Sequence, residues 1–204
     1  MSAGWRPDTH LDITVTLLGI EPPIWRRLHV PLKTSFARLH AVLQAAFGWK
    51  DCHLHEFVVG GLSIGSTAFD KEGLSDHQTL DATGIMLHDL RLRHRETLSF
   101  DYIYDFGDDW QHRVVVNGGL VSEEAGSASL CIAGARSAPP EDVGGPPGYE
   151  DFLAAWKSPK HPEHGAVRRW AGRSFDPERF DLEKVNKSIR AASKGPLKGA
   201  YLVQ

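Results

Sequence analysis

Residues 100–116 read FDYIYDFGDDWQHRVVV and predict a β-hairpin. Aromatic residues alternate through the first half, and the second half is again rich in strand formers. Between the halves, residues 106–109 supply the Gly and Asp that a tight turn requires. Both a two-residue turn at residues 107–108 and a four-residue loop at 106–109 give the same pairing. The hairpin is therefore the element around which a sheet is expected to form.

The predicted register places a polar cluster at the hairpin tip. It pairs Asp105 with Trp110 and Ile103 with His112. Asp105 and His112 then become diagonal neighbours, close enough to share a proton, a water molecule or an ion. The tip then carries three carboxylates and an imidazole, from Asp105, Asp108, Asp109 and His112. Each aspartate alone is also explained as a turn residue that bonds its own backbone. Together they indicate a site, because like charges so close need a counter-ion, a proton or a basic partner.

Length and composition indicate an ordinary globular protein. The 204 residues fit one domain over 1–204, with a core at about 11–192, a flexible N-terminus and a basic C-terminal tail. No apolar run is long enough to cross a membrane and the N-terminus lacks an apolar signal region, so we expect a cytoplasmic location and no membrane partner. Two cysteines, Cys52 and Cys131, fit a reducing compartment without a disulfide and cannot form a metal site alone.

The net charge of −3 argues against binding nucleic acid through bulk charge. Local basic patches occur at residues 25–27, 91–95, 168–169 and 184–198. The eleven histidines are scattered, which is weak evidence for metal.

The order of predicted elements favours an α+β fold with a mainly antiparallel sheet, the hairpin at its centre and helices packed on one side. Strands are predicted at 11–20, 24–30 and 53–59, with short pieces within 62–83. Helices are predicted from a cap at Thr34 or Ser35 to Phe47, briefly at 87–92, at 149–156, from 161, and at 182–192 after a cap at Asp181. Residues 133–148, AGARSAPPEDVGGPPG, are predicted to lack regular structure.

Several motifs occur in the order typical of one family. They are IWRR at 24–27, LH at 39–40, FGW at 47–49, HLHEF at 53–57, YDFGDDW at 104–110 with His112, and PPEDVGGPPGY at 139–149. On these residues the chain resembles the plasmid pRiA4b ORF-3-like proteins of bacterial and archaeal plasmids, mobile elements and chromosomes. The resemblance implies an α+β domain of no established biochemical function. Many such proteins carry cysteines where this chain has Ala138 and Val143, so a thiolate zinc site is not expected here.

Two further groups extend the candidate site. His53 and His55 are expected to point to one face of a strand, a spacing typical of metal ligands and also of ordinary strand histidines. Glu141 and Asp142 would add carboxylates, unless Arg26, Arg27 or Arg136 pairs with them. The simplest interpretation of Trp25, Trp49 and Trp110 is that they pack in the core or at its rim, although such rings also stack on ligands. His161 and His164 are expected at the surface with a capping role.

These residues support two hypotheses about function. The first is a non-enzymatic binding domain whose ligand residues are Asp105, Asp108, Asp109, Trp110, His112, Glu141 and Asp142. Its partner would be a protein or peptide, with a nucleic-acid complex as the alternative. The second is a metal-assisted hydrolase of phosphoester-type bonds, with a divalent metal on His53, His55, Asp105 and His112. No nucleotide-cofactor or nucleophile motif is present in the sequence.

Both hypotheses require the hairpin tip to contact residues 133–148. A segment so rich in Pro and Gly needs external partners for its backbone groups. The expected donors to Glu141 and Asp142 are Trp110 Nε1, His112, Arg113 and the amides of the turn. The sequence therefore predicts that these carboxylates lie within side-chain reach of residues 105–113.

Overall fold

The computed structural model describes residues 9–67, 79–90, 98–121, 128–172 and 174–197. Within them the fold is α+β, built on one eight-stranded sheet in the order β5-β4-β3-β6-β7-β1-β2-β8. Neighbouring strands are antiparallel except β4 and β5, which are parallel. The strands are β1 Thr9–Leu17, β2 Ile24–Pro31, β3 His55–Val59, β4 Leu62–Gly65, β5 Thr79–Asp81, β6 Ser99–Tyr104, β7 Trp110–Val121 and β8 Leu130–Ala135.

Four α-helices and one short 3-10 helix occur in the same ranges. They are α1 Phe36–Phe47, the 3-10 helix Leu87–Asp89, α2 Gly145–Lys157, α3 His164–Trp170 and α4 Leu182–Lys194. The predicted ends of α1 are confirmed, because Ser35 Oγ accepts a hydrogen bond from Arg38 N and Gly48 is left-handed at φ 82°. Asp181 caps α4 by accepting from Lys184 N at 3.0 Å, as predicted.

The core forms where α1 covers the sheet. Its apolar stripe, including Phe36, Leu39 and Leu43, is fully buried. Phe36 contacts Phe57 and Phe100 edge-on, with ring centroids 5.1 and 5.8 Å apart. The predicted hairpin is therefore a central part of the sheet. Helix α1 packs on the sheet and so positions the loop that follows α1.

The predicted hairpin register is wrong by one residue. Tyr104, not Asp105, pairs with Trp110, and Tyr102, not Ile103, pairs with His112. The turn contains five residues because Asp105 and Asp109 both adopt left-handed backbones, at φ 58° and 52°, and Asp109 N donates to Asp105 O at 2.7 Å. A shift of one residue moves a side chain to the other face of a sheet, which is why His112 is buried.

Other element boundaries differ from the sequence predictions. Strand β3 begins at His55, so His53 lies before the strand and does not share its face with His55. Residues 133–135 belong to β8 because they pair with β2, and α2 begins at Gly145 because proline is tolerated in a first helical turn. The irregular segment is therefore 136–144, not 133–148. The predictions for the N-terminal residues 1–8, for residues 91–97, for parts of 62–83 and for the last residues of the tail lie outside the described residues.

Both edges of the sheet are short or covered. Edge strand β5 has three residues. At the other edge, Asn186 of α4 bonds the backbone of Cys131 twice, with Cys131 N donating to Oδ1 at 2.8 Å and Nδ2 donating to Cys131 O at 2.9 Å. The side-chain amide thus occupies the position that a ninth strand would take.

Arg26 ties this edge to the end of α1. Its guanidinium is buried and donates to four carbonyl oxygens, those of Trp25, Ala46, Ala135 and Arg136, at 2.8–2.9 Å. It also lies between the rings of Phe47 and Phe180, 5.0 and 4.8 Å from their centroids. Burial lowers the pKa of Arg26 to about 10.

Two further predictions concern cysteine and membrane. Cys52 and Cys131 are free thiols, as expected. Among the helices that the structure describes, none is both long and apolar enough to span a bilayer.

Candidate functional site

His53 is the centre of a cluster of carboxylates. Its Nε2 lies 3.1 Å from Asp142 Oδ1, 3.5 Å from Asp105 Oδ2 and 3.8 Å from Glu141 Oε2. The Cys52 thiol belongs to the same neighbourhood, because ligand atoms of Cys52, His53 and Glu141 lie within 4.8 Å of one another. The cluster thus combines residues from the loop after α1, the hairpin turn and the irregular segment 136–144.

The loop after α1 is oriented by a ring of hydrogen bonds. Gln44 Nε2 donates to Tyr102 Oη at 3.0 Å, and Asp51 N donates back to Gln44 Oε1 at 2.9 Å. Between them, His40 bridges Tyr102 Oη and Asp51 Oδ1, through Nδ1 at 2.8 Å and Nε2 at 2.7 Å. Asp51 adopts a left-handed backbone at φ 55°, and this reversal directs His53 towards the hairpin tip.

The two carboxylate oxygens of Asp105 have different roles, one in the hairpin turn and the other in the cluster. Its Oδ1 accepts from the amides of Gly107 and Asp108 at 3.1 and 3.4 Å, which is the predicted turn role. Its Oδ2 faces His53. Because the residue is only 7% exposed, this second oxygen is held away from bulk water.

Glu141 is fixed as an acceptor inside the cluster. Tyr104 Oη donates to its two carboxylate oxygens at 3.2 Å, and Lys50 N donates to Oε1 at 2.7 Å. Burial, with the neighbouring Glu141 carboxylate, raises the pKa of Tyr104, so its hydroxyl stays protonated and remains a donor. Asp142 is the solvent-facing member, with a side chain that is 71% exposed.

The predicted contact between the hairpin tip and the 133–148 segment is confirmed. Gly144 N donates to Asp108 Oδ2 at 3.1 Å. Gly145 packs directly on the turn, since a Cβ there would lie 2.4 Å from Asp108 O, and its φ is +68°. The close approach therefore requires glycine.

The expected donors for this contact are wrong. Trp110 is fully buried, and no hydrogen bond of its Nε1 is found within the described residues. His112 Nδ1 bonds Tyr102 O at 3.1 Å, and Arg113 pairs with Asp101. Tyr104 and Lys50 N act as the donors instead, because the five-residue turn rotates Trp110 and His112 into the core.

Several predicted ligands lie away from the cluster. His55 stacks on His40 with ring centroids 3.4 Å apart, and burial lowers its pKa to about 3. Burial likewise lowers the pKa of His112 to about 4, and its ring packs against Phe47 and Trp49. In the described part of the chain, neither imidazole belongs to a group of ligand atoms close enough to share an ion. Asp109 accepts from Gln111 at 2.8 Å.

The competing interpretation, in which an arginine neutralises Glu141 and Asp142, is wrong. Arg136 forms a two-pronged ion pair with Glu178, with both nitrogen–oxygen distances at 3.0 Å. Arg27 pairs with Asp12, and Arg26 bonds the carbonyl oxygens described above. His53 therefore takes the place expected for an arginine.

A cleft of about 490 Å³ opens beside the cluster. One wall is residues 137–142, which contribute Glu141 and Asp142. A second wall is the end of α1 and the loop at 45–50, and a third lies within 170–188 and carries Arg179 and Lys184. Its aromatic lining consists of Phe47, Trp49, Trp170, Phe175 and Phe180. The hairpin tip thus supports the mouth of the cleft but does not form its walls.

Comparison with known proteins identifies the family. The model of the plasmid pRiA4b ORF-3-like proteins matches residues 9–184. The chain belongs to the plasmid pRiA4b ORF-3-like family. It is 35% identical over 182 residues to the uncharacterised protein y4hQ of Sinorhizobium fredii (strain NBRC 101917 / NGR234), covering 87% of this chain and 89% of that protein. It is also similar to the crystal structure of MM3350, a protein of unknown function from Methanosarcina mazei Go1, with a TM-score of 0.75, 34% identity, and coverage of 86% of this chain and 96% of the other.

The family's motifs converge on the cluster and on its supports. HLHEF contributes His53, YDFGDDW contributes Tyr104 and Asp105, and PPEDVGGPPGY contributes Glu141, Asp142 and the close-packed Gly145. In this member of the family, Ala138 lies buried in the cleft wall, and Val143 is half-buried in the turn before α2.

Sequence reasoning missed two parts of the site. Cys52 is not among the site residues predicted from the sequence, although its neighbour His53 is a candidate ligand. The 170–188 wall was also missed, because its residues are far along the chain from the other motifs. The signal that could have found it is the exposed Trp170 between the Arg168-Arg169 patch and Phe175.

Proposed function

We propose that this family member is a non-enzymatic binding domain that recognises a peptide segment of a partner protein in the cleft. The observation that carries the proposal is the composition of the cleft walls. Trp170 is 53% exposed on one of them and lies along the cleft with four other aromatic residues, Phe47, Trp49, Phe175 and Phe180. Aromatic rings are typical anchors in protein interfaces.

The charges of the walls favour a peptide over a polyanion. Glu141 and Asp142 would attract a basic side chain or an amino terminus. Lys184, on the 170–188 wall, would attract a carboxylate, whereas Arg179 on the same wall pairs with Asp181 at 3.2 Å. A nucleic acid would meet repulsion from the first wall, which agrees with the net charge of −3.

The state of the Cys52 thiol argues against covalent catalysis at the mouth. Burial, together with the nearby carboxylates of Glu141 and Asp142, raises the pKa of Cys52 despite the hydrogen bond with Tyr104. A thiol with a raised pKa is protonated at neutral pH and is a poor nucleophile. This supports a role in binding.

The test is selection from a phage-displayed random peptide library on the immobilised full chain, in the presence of a chelator. Enriched peptides are expected to bind the wild type and to lose about tenfold or more in affinity with Trp170→Ser, since interface tryptophans are common hot spots. Phe106→Ser is the matched control, because Phe106 is also 53% exposed but lies on the hairpin turn outside the cleft.

Two results would contradict the proposal. One is that no peptide family is enriched, or that enriched peptides bind Trp170→Ser as well as the wild type. The other is tight retention of DNA or RNA with a steep fall at higher salt, which would favour the nucleic-acid alternative.

A metal-assisted hydrolase is the second candidate, favoured by His53 lying beside the carboxylates of Asp105 and Asp142. Such a set resembles the ligands that activate a water molecule on a divalent ion. The assay is hydrolysis of bis(p-nitrophenyl) phosphate with added Zn²⁺ or Mn²⁺. Metal-dependent turnover that His53→Gln abolishes would support this candidate, and turnover equal to that of buffer with metal would contradict it.

A further inference from the structure

His53 Nε2 has the properties of a metal ligand. The Nε2 atom is shielded from solvent, although the side chain as a whole is 26% exposed. It makes no well-aligned hydrogen bond within the described part of the chain, although it lies 3.1 Å from Asp142 Oδ1 and 3.5 Å from Asp105 Oδ2. The ring is thus close to its carboxylate neighbours without aiming an N–H at them. A buried nitrogen in this position is costly unless something else satisfies it.

We propose that the cluster binds one divalent transition-metal ion, Zn²⁺, through His53 Nε2, Asp105 Oδ2 and Asp142 Oδ1. The fourth position of a tetrahedral ion is left open, on the side of Glu141 at the mouth of the cleft. The inference goes beyond the proposed recognition of a peptide, because the metal site exists whether or not the cleft accepts one.

The distances within the cluster fit a single ion. Zinc bonds to nitrogen and carboxylate oxygen are about 2.0–2.2 Å, so neighbouring ligand atoms in a tetrahedral site lie about 3.4 Å apart. The three carboxylate oxygens lie 3.1, 3.5 and 3.8 Å from His53 Nε2. The ligand atoms of His53, Asp105 and Asp142 all lie within 4.8 Å of one another, so the three side chains can approach one ion together, and Asp142 is exposed at 71%.

The charges of the cluster also favour an ion. Three carboxylates surround one imidazole, so even a protonated His53 leaves two negative charges uncompensated. Asp105 is nine-tenths buried at the side chain and directs Oδ2 at His53, while its Oδ1 is used by the turn. A divalent cation would offset two of the three carboxylate charges, whereas a proton on His53 would offset one.

The donor set selects among metals. An imidazole nitrogen with carboxylates suits zinc or manganese, whereas magnesium and calcium prefer all-oxygen sites. The general affinity order of divalent first-row metals places zinc above manganese for such a site.

The orientation of the ligands is already provided by the protein. The turn amides fix Asp105, and the ring of hydrogen bonds through His40 and Asp51 fixes the loop of His53. Such outer hydrogen bonds are what metal sites use to orient their ligands.

The experiment measures zinc bound to the full chain without a histidine tag, after chelator treatment and equilibrium dialysis. We expect one Zn²⁺ per chain, with Mn²⁺ binding more weakly. His53→Gln and Asp142→Asn are each expected to weaken zinc binding by about tenfold or more. Asp142 is exposed, so its substitution leaves folding intact.

The matched controls are His88→Gln and Asp89→Asn, because His88 Nε2 and Asp89 Oδ1 form a similar surface pair at 3.4 Å. These variants are expected to bind zinc as the wild type does. Wild-type protein that binds no zinc, or zinc binding that survives both His53→Gln and Asp142→Asn, would overturn the inference. Peptide selection in chelator tests the proposed function separately, so the two can fail independently.

Discussion

Acidification from about pH 7 to about pH 5 is expected to destabilise the fold through His55 and His112, which burial keeps neutral. Burial lowers their folded-state pKa values to about 3 and about 4, compared with 6.5 for an ordinary histidine. Between those values the unfolded chain binds more protons than the folded chain. The free energy of unfolding therefore falls as the pH falls below about 6.5, and the loss ends only near the folded pKa of each group.

The magnitude follows from the distance between the pH and the unfolded pKa. At pH 5 each histidine is about 1.5 pH units below its unfolded pKa, which corresponds to about 2 kcal/mol per group. The two together predict a loss of about 4 kcal/mol between pH 7 and pH 5. This loss is a large fraction of the free energy of unfolding of a typical domain, which is roughly 5–15 kcal/mol.

Urea unfolding at the two pH values measures this loss directly. His112→Phe keeps a ring beside Phe47 and Trp49, and it is expected to reduce the difference between the two pH values by about 2 kcal/mol. His88→Gln, at a half-exposed position, leaves both buried histidines in place and should retain the full difference. If His112→Phe retained it as well, the reasoning from burial would be refuted.

Two further substitutions test the packing that supports the site. Arg26→Met removes four hydrogen bonds from a buried charged donor and leaves their carbonyl oxygens without this partner. Chemical denaturation should therefore show a net loss of about 3 kcal/mol or more. Gly145→Ala should cost about 2 kcal/mol or more, because its Cβ would collide with Asp108 O, whereas Gly60→Ala, also left-handed but with open space around it, should cost about 1 kcal/mol. Equal effects at the two glycines would contradict the close packing of the hairpin tip on residue 145.

The helices and strands were predicted from the sequence more accurately than the turns and hydrogen bonds that connect them. The hairpin and the α+β sheet follow from alternating aromatics and from capping residues, which are local signals. The turn length did not follow, because Asp and Gly in 106–109 suit several turns, and the left-handed backbones of Asp105 and Asp109 become visible only in the structure. That single extra residue removed His112 from the predicted site.

The contact of the 136–144 segment with the hairpin was predictable because its backbone needed partners. The role of His53 within a single cluster was not, since it depends on the left-handed Asp51 and on hydrogen bonds among residues far apart in sequence. Long-range placement of this kind has no local pattern in a single sequence.

The way Asn186 covers the sheet edge has a consequence for how the chain behaves at high concentration. An open strand edge is a template for pairing with another molecule, and such pairing leads to amyloid-like aggregates. Here the outward backbone groups of Cys131 are already occupied by a side-chain amide, and the opposite edge strand has three residues. Helix α4 therefore blocks the pairing of a further strand at Cys131, which makes growth of the sheet by addition of identical chains less favourable.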